Sequence, residues 1–380
     1  MTQTARIALE DGDLLEALRG FFRSVLALED LGALLVPQRL PMKNMVMPTL
    51  VTDPDRLGAV DPLAPAFPMN SAKIVSRLTR RPAGEKIAVV MRPCEIRAFV
   101  ELVKLHQGSR DDIVVIGLDC LGAYSNRDYF DYVDKEGETA TRRFYRQVLL
   151  GENGRPPMVG LSPACRVCEL PIPEGADLLI GLYGVDIQNE VWLEARTPAG
   201  EALLGPLGLP PGEEPPQRRG VIEKLTAART TARDKLFAET AAAVDSLDKL
   251  TAYLATCVNC YNCRVACPVC YCRECVFVTD VFDHDPAQYL GWASRKGVIK
   301  MPTDTVFYHL TRLAHMSTAC VGCGQCSNAC PNDIPVMALF RTVAHRTQQS
   351  FGYLAGRSTD EKPPLSEFRE KEFEDVVGLS

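Results

Sequence analysis

No apolar run in this 380-residue chain approaches the ~18 residues that a membrane span requires. The opening stretch, MTQTARIALEDGDLLEALRG, is acidic and does not show the basic end and apolar core of a secretory signal. No basic stripe is evident and the formal net charge is −6, so nucleic acid is not an expected partner. No Gly-x-Gly-x-x-Gly follows a strand-like run, so a dinucleotide-binding fingerprint is missing. No nucleophile or acid–base constellation can be assigned either, and an electron relay needs none. Hydrophobic content of 46% and charged content of 24% are ordinary for a globular protein. Cysteine is the exception. Fifteen of them, with no export signal, set the expectation of a reducing cytoplasm and of metal binding.

Eight of these cysteines fall in two runs of identical spacing. Cys257-x-x-Cys260-x-x-Cys263-x-x-x-Cys267-Pro268 recurs as Cys320-x-x-Cys323-x-x-Cys326-x-x-x-Cys330-Pro331. This is the ligand pattern of a protein with two [4Fe–4S] clusters, in which the fourth cysteine of each run ligates the other cluster. The expected sets are therefore Cys257, Cys260, Cys263 with Cys330, and Cys320, Cys323, Cys326 with Cys267. Zinc sites normally use two separated Cys-x-x-Cys pairs, and disulfides need an oxidising compartment, so both alternatives fit the pattern poorly.

The chain divides around these runs. Residues 1–205 read as α/β, and 206–220 (PLGLPPGEEPPQRRG) as a Pro/Gly-rich linker. Residues 221–256 lack Gly and Pro and read as helical, and 257–357 hold both cysteine runs. Residues 358–380 read as a charged tail or docking arm. Between the runs, Val306, Leu310, Leu313 and Ala314 are spaced for one face of a helix opened by Pro302 and Thr303. His309 and His315 lie in that helix and read as packing or hydrogen-bonding residues rather than iron ligands. After Pro335, the series Val336, Leu339, Phe340 and Val343 predicts another helix. The expected fold is an α/β N-terminal domain with a parallel βαβ core, then an all-α dicluster domain across 221–357.

The βαβ core rests on three segments. Lys86–Arg92 (KIAVVMR) is a short apolar run that ends at Pro93-Cys94. A helical pattern with Ile96, Phe99, Val100 and Val103 on one face follows. The next run, Ile113–Asp119 (IVVIGLD), ends at Cys120. Strand, helix, strand over this length predicts a right-handed crossover with parallel strands. Both cysteines then sit beyond the carboxyl ends of the strands, on the edge where open α/β sheets place ligands. Cys165-x-x-Cys168 precedes a further apolar run, Asp177–Leu182. Cys94, Cys120, Cys165 and Cys168 together suffice for a third cluster. The alternative is that Cys94 and Cys120 are buried core thiols.

Two family resemblances attach to these residues. HLTRLAHMSTACVGCGQCSNACPNDIP, with about fifty residues between the cysteine runs, resembles the α-helical ferredoxin domains of the heterodisulfide reductase C subunit and of the succinate dehydrogenase iron–sulfur subunit. MRPCEIRAFVELVK, IGLDCLGAYSN, ACRVCELPIPEGADLLIGLYG and EVWLEARTPAGEALL, in that order, resemble the blocks of the β subunits of coenzyme F-420-reducing hydrogenase and formate dehydrogenase. The matches are Pro93–Ile96, Ile116–Cys120, Cys165–Asp177 and Arg196–Gly200. The second resemblance implies an iron–sulfur flavoprotein with FAD beside a [4Fe–4S] cluster.

The residues themselves say less about a flavin. Asn70 and Ser71 open a helix with Lys73 in its first turn, a candidate phosphate seat and equally a plain capped helix. The stretch Arg39–Thr49 could wall the ring or be core. Cys270, Cys272 and Cys275 remain over. They could build a fourth cluster with Asp280, Asp283 or His284, or be thiols packed near the first. The reading is an iron–sulfur flavoprotein subunit of a multisubunit oxidoreductase, passing electrons between a hydride carrier (deazaflavin or nicotinamide) at FAD and a chain of [4Fe–4S] clusters. The alternative is a flavin-free relay linking a formate dehydrogenase or hydrogenase to a heterodisulfide-reductase-like partner. A redox sensor is a third reading, without any DNA-binding or signalling segment to support it.

Overall fold

The computed structural model describes residues 3–41, 44–151 and 160–367. Its first half is built on one seven-stranded sheet. The strands are β1 (Thr4–Ala8), β2 (Leu31–Arg39), β3 (Val46–Val51), β4 (Lys86–Met91), β5 (Ile113–Leu118), β6 (Leu178–Gly181) and β7 (Glu190–Ala195). Their order is β1-β7-β6-β5-β4-β2-β3. The central strands β2, β4, β5 and β6 pair in parallel, and antiparallel partners close both flanks. The expected crossover is present as β4, the helix Pro93–Lys104 and β5. The candidate wall Arg39–Thr49 is the turn end of the β2–β3 hairpin, with residues 42 and 43 outside the described residues.

Alternation along the central strands sorts their side chains to two faces. Ala88 and Val90 of β4, with Val114 and Ile116 of β5, pack beneath the helix Leu14–Leu26. Ile87, Val89 and Met91, with Ile113 and Val115, pack on the opposite face against Ile96 and Phe99. A sheet covered on both faces needs apolar residues at nearly every position, and KIAVVM and IVVIGL supply them.

The second face is completed from far along the chain. Leu313, Met316, Val321, Leu339 and Phe340 belong to the same buried cluster as β4 and β5. No strand follows Ala195 among the described residues, where the main helices are Arg218–Ala243, Pro286–Lys296, Thr305–Met316 and Val336–Ser350. Polar ties bind this helical segment to the sheet edge. Gln325 donates to the Phe67 carbonyl at 2.8 Å, and Arg341 donates to the Val167 carbonyl at 2.8 Å. Arg97 reaches the Ala355 carbonyl at 2.9 Å. Of the charged tail, residues 368–380 lie outside the described residues.

One helix packs differently from its apolar spacing. In Thr305–Met316, Leu310 and Ala314 are exposed, Val306 is half-buried, and only Leu313 of the expected face is buried. The buried face carries Thr305, Tyr308, His309, Arg312, Leu313 and Met316. It turns polar side chains toward the cysteine loops, where sulfur can satisfy them. A count of apolar residues does not register such a face. The helix Val336–Ser350 follows its spacing, with Val336, Leu339 and Phe340 buried.

Candidate functional site

Four cysteines meet at the carboxyl edge of the sheet. Cys94 lies in the first turn of the helix that leaves β4, and Cys120 stands two residues beyond β5. Cys165 sits in the short helix Pro163–Arg166, begun by a bond from its own N–H to Ser162 Oγ at 3.4 Å, and Cys168 lies just past it. All four line one cavity with Phe67, Arg229 and Cys323. The Cys165 sulfur accepts the Ala123 N–H at 3.3 Å. Burial pushes the Cys120 thiol up to about 11, with Arg92 pulling the other way, and raises Cys94 as well. Such thiols become thiolates only against a cationic partner.

Arg229 supplies a test of what fits there. It is 2% exposed. Its Nη1 reaches the Cys168 carbonyl at 3.4 Å, while Nε and Nη2 have no protein partner. Among the described residues no carboxylate pairs with it. A buried cation with free donors beside four thiols suits a centre that carries net negative charge. None of the fifteen cysteines is in a disulfide. Among the described residues no three Cys, His, Asp or Glu groups converge where a single ion would sit. A cubane places one iron against each thiolate and so holds its sulfurs further apart than one ion does.

The two C-terminal sets interlock. Cys257, Cys260, Cys263 and Cys330 line one cavity, with Tyr308 and His309 in its wall. Cys267 is the charge that acts most strongly on Cys320, Cys323 and Cys326. The fourth cysteine of each run is thus beside the first three of the other. His309 Nε2 lies 3.4 Å from the Cys257 sulfur, and burial pushes the imidazole down to about 4. The Tyr308 hydroxyl is 3.4 Å from the Cys263 sulfur. Arg312 Nη1 donates to that same sulfur at 3.1 Å. His315 is exposed at the end of its helix. Cys260 is exposed, whereas Cys320, Cys323 and Cys326 are shielded.

Two glycines bring Cys323 close to the sheet edge. Gly322 and Gly324 both adopt positive φ, at 71° and 81°, which L side chains rarely accept. A Cβ on Gly324 would overlap the Ala164 side chain, next to Cys165. Cys323 therefore lines the cavity of the sheet-edge set while belonging to the second run.

The remaining expected residues are placed otherwise. Asn70 and Ser71 are buried, and Lys73 donates to the Val265 carbonyl at 3.1 Å. The Ser71 N–H is taken by the Glu95 carboxylate at 2.8 Å, and the Ala72 N–H by Asn70 at 3.0 Å. A carboxylate thus holds the position an anion would need. Cys270 adjoins Cys267 and Lys73, and burial pushes its thiol up to about 11. Cys272 is exposed, and Cys275 packs beside Cys263, Phe277 and Tyr308. His284 packs on Tyr289 and Trp292. No cavity among the described residues gathers Cys270, Cys272 and Cys275 as the other sets are gathered.

Beside Cys323 a cavity of about 430 Å³ opens between sheet edge and helical segment, walled by Phe67, Tyr124, Leu236 and Met337, with Arg166 and Asn328 at its polar side. A cavity of about 850 Å³ between Tyr183–Asp186 and the connector contains no cysteine. The buried arginines 229 and 312 escaped the sequence reading because nothing local marks them. Each lies on a helix remote in sequence from some of the cysteines it faces.

Residues 84–206 match the family model for the C terminus of the coenzyme F420 hydrogenase/dehydrogenase beta subunit. Residues 315–336 match a 4Fe-4S binding domain. The F420-dependent formate dehydrogenase subunit beta of Methanocaldococcus jannaschii is 28% identical over 345 residues, covering 84% of this chain and 85% of that protein. The F420-dependent formate dehydrogenase 1 subunit beta of Methanococcus maripaludis is 26% identical over 313 residues, covering 73% and 75%. A chain in the F420-reducing [NiFe] hydrogenase complex of Methanosarcina barkeri aligns with TM-score 0.47 and 15% identity, covering 65% of this chain and 94% of that one. No helix among the described residues is long and apolar enough to cross a membrane. With its signature in residues 84–206 and a 4Fe-4S binding segment beyond, the chain belongs to the coenzyme F420 hydrogenase and formate dehydrogenase β-subunit family, a family of oxidoreductase subunits.

Proposed function

We propose that this chain is the iron–sulfur flavoprotein subunit of a formate dehydrogenase or hydrogenase, relaying electrons between a deazaflavin-type hydride carrier and a catalytic partner subunit. The observation that carries this reading is the sequence of three four-cysteine sets in space. Cys94, Cys120, Cys165 and Cys168 share a cavity wall with Cys323. Cys323 belongs with Cys320, Cys326 and Cys267, and Arg312 lies between that set and Cys263. The last set ends at the exposed Cys260. Each set would hold one [4Fe–4S] cluster, in an all-α ferredoxin segment for the latter two.

Bound together, the flavin would exchange a hydride with the carrier and single electrons with the clusters. The protein's own residues prepare for this. Arg229 and Arg312 hold positive charge against the thiols, and the apolar walls of the sheet edge exclude water from them. Phe67, Tyr124 and Met337 offer a ring-sized apolar slot beside Cys323, with Arg166 at its polar side. Exposed Cys260, flanked by exposed Val258 and Val265, offers the surface where a redox partner would dock.

A flavin-free relay is the second reading, favoured by the Glu95 carboxylate at the Ser71 N–H. Acid release of cofactor from anaerobically purified protein decides between them. The flavoprotein reading expects about one FAD per chain and reduction by reduced deazaflavin. Protein with every cluster but no flavin, before and after incubation with FAD, would leave only the relay.

A further inference from the structure

Arg312 has no ordinary partner. It lies on the inner face of the helix Thr305–Met316 and is 4% exposed. Its Nη1 donates to the Cys263 sulfur at 3.1 Å and Nη2 to the Cys263 carbonyl at 3.2 Å. Its Nε is buried without a partner, and among the described residues no carboxylate pairs with it. The guanidinium is held flat by Phe340, whose ring centroid lies 4.7 Å away. Besides Cys263, the sulfurs whose charge acts on it are Cys267 and Cys326. Cys263 belongs to one four-cysteine set, and Cys267 and Cys326 to the other. An isolated buried cation is strongly unfavourable, so a position like this is stable only beside compensating negative charge.

We propose that Arg312 is the shared counter-cation of the two C-terminal iron–sulfur centres, raising the reduction potential of both and leaving the sheet-edge centre unaffected. The inference rests on the reading that these cysteines hold clusters. Adding an electron makes a centre more negative, and a fixed positive charge in a low-dielectric interior stabilises that added charge at each centre it faces. Its position between the sets makes the effect common to both. A cation at only one of them would instead open a step in potential on the path toward Cys260.

The test is a redox titration of the full-length, cluster-loaded protein, followed by electron paramagnetic resonance, with parent, Arg312→Gln and Arg312→Lys compared. Glutamine keeps a donor and removes the charge, and lysine keeps the charge and loses the planar stack. The expected result for Arg312→Gln is a tenfold or larger loss of reduced over oxidised centre at fixed potential, 59 mV for a one-electron couple, at both C-terminal centres. The sheet-edge signal should not move, and lysine should restore most of the loss. Unmoved potentials in a fully iron-loaded Arg312→Gln protein would overturn the proposal, as would an equal shift at all three centres. If glutamine prevents loading, the lysine variant decides. Full loading with less than a tenfold effect supports the charge role. A tenfold fall with lysine, or loss of iron from both variants, reduces Arg312 to an assembly or packing residue. A parent protein without iron would remove the cluster reading itself, a different outcome from unmoved potentials.

Discussion

Replacing Arg218 by methionine tests what fixes the sheet edge where Cys120 departs. The Asp119 carboxylate is fully buried and accepts the N–H groups of Leu182 at 2.8 Å and Tyr183 at 3.0 Å. Arg218, at the start of the long helix that carries Arg229, completes the shell through Nη1 and, at 2.9 Å, through Nη2. Removing one partner of a buried pair costs about 3–5 kcal/mol, because a charge is left without compensation. Two backbone donors stay on Asp119 after Arg218→Met, which places that variant near the lower limit, about 3 kcal/mol. Asp119→Ala strands the guanidinium and also orphans two N–H groups, each worth about 1–3 kcal/mol, so it should cost more. The assay is an anaerobic denaturant titration of equally iron-loaded proteins, followed by circular dichroism and read from midpoint and slope. An Arg218→Met protein within about 1 kcal/mol of the parent would refute the reasoning. So would one less stable than Asp119→Ala.

Gly324→Val should fold poorly or push the second cysteine run away from the sheet edge, since its φ of 81° and the overlap with Ala164 both oppose a side chain. The backbone term alone is about 1–2 kcal/mol. Slowed electron passage from the sheet-edge centre to the C-terminal centres, at unchanged iron content, is the expected readout, and unchanged passage would contradict the placement. Cys323→Ser should remove one C-terminal centre while the sheet-edge signal persists, because Cys323 lines that cavity without being one of its four thiols. Loss of the sheet-edge signal together with it would exchange those roles.

Parts of this fold are plain in the sequence for a physical reason. A strand buried on both faces must be apolar at nearly every position, so KIAVVM and IVVIGL stand out, and the cysteines that follow them inherit a known edge. The spacing of Cys257 to Cys267 and of Cys320 to Cys330 is equally local, and the structure sets the fourth cysteine of each run beside the other run, as that spacing suggests. Other features depend on partners far along the chain. The helix Thr305–Met316 buries Tyr308, His309 and Arg312 because sulfur and carbonyl groups more than forty residues earlier accept them. Apolar periodicity therefore selects the wrong face. Ser71 reads as an open helix start until Glu95, brought near by the fold, takes its N–H. Arg229 looks like any surface arginine of an Ala- and Lys-rich helix, and only the folded chain turns it toward Cys168.

The central claim is that three cysteine sets hold three clusters in a row. Its most direct test is the iron and acid-labile sulfide content of anaerobically purified full-length protein, with the spin signals of the reduced state. The account predicts about twelve of each per chain and three interacting [4Fe–4S] signals. Full occupancy at about eight, with Cys94 and Cys120 unligated, would break the path at the sheet edge. Zinc in place of iron would contradict the account as a whole.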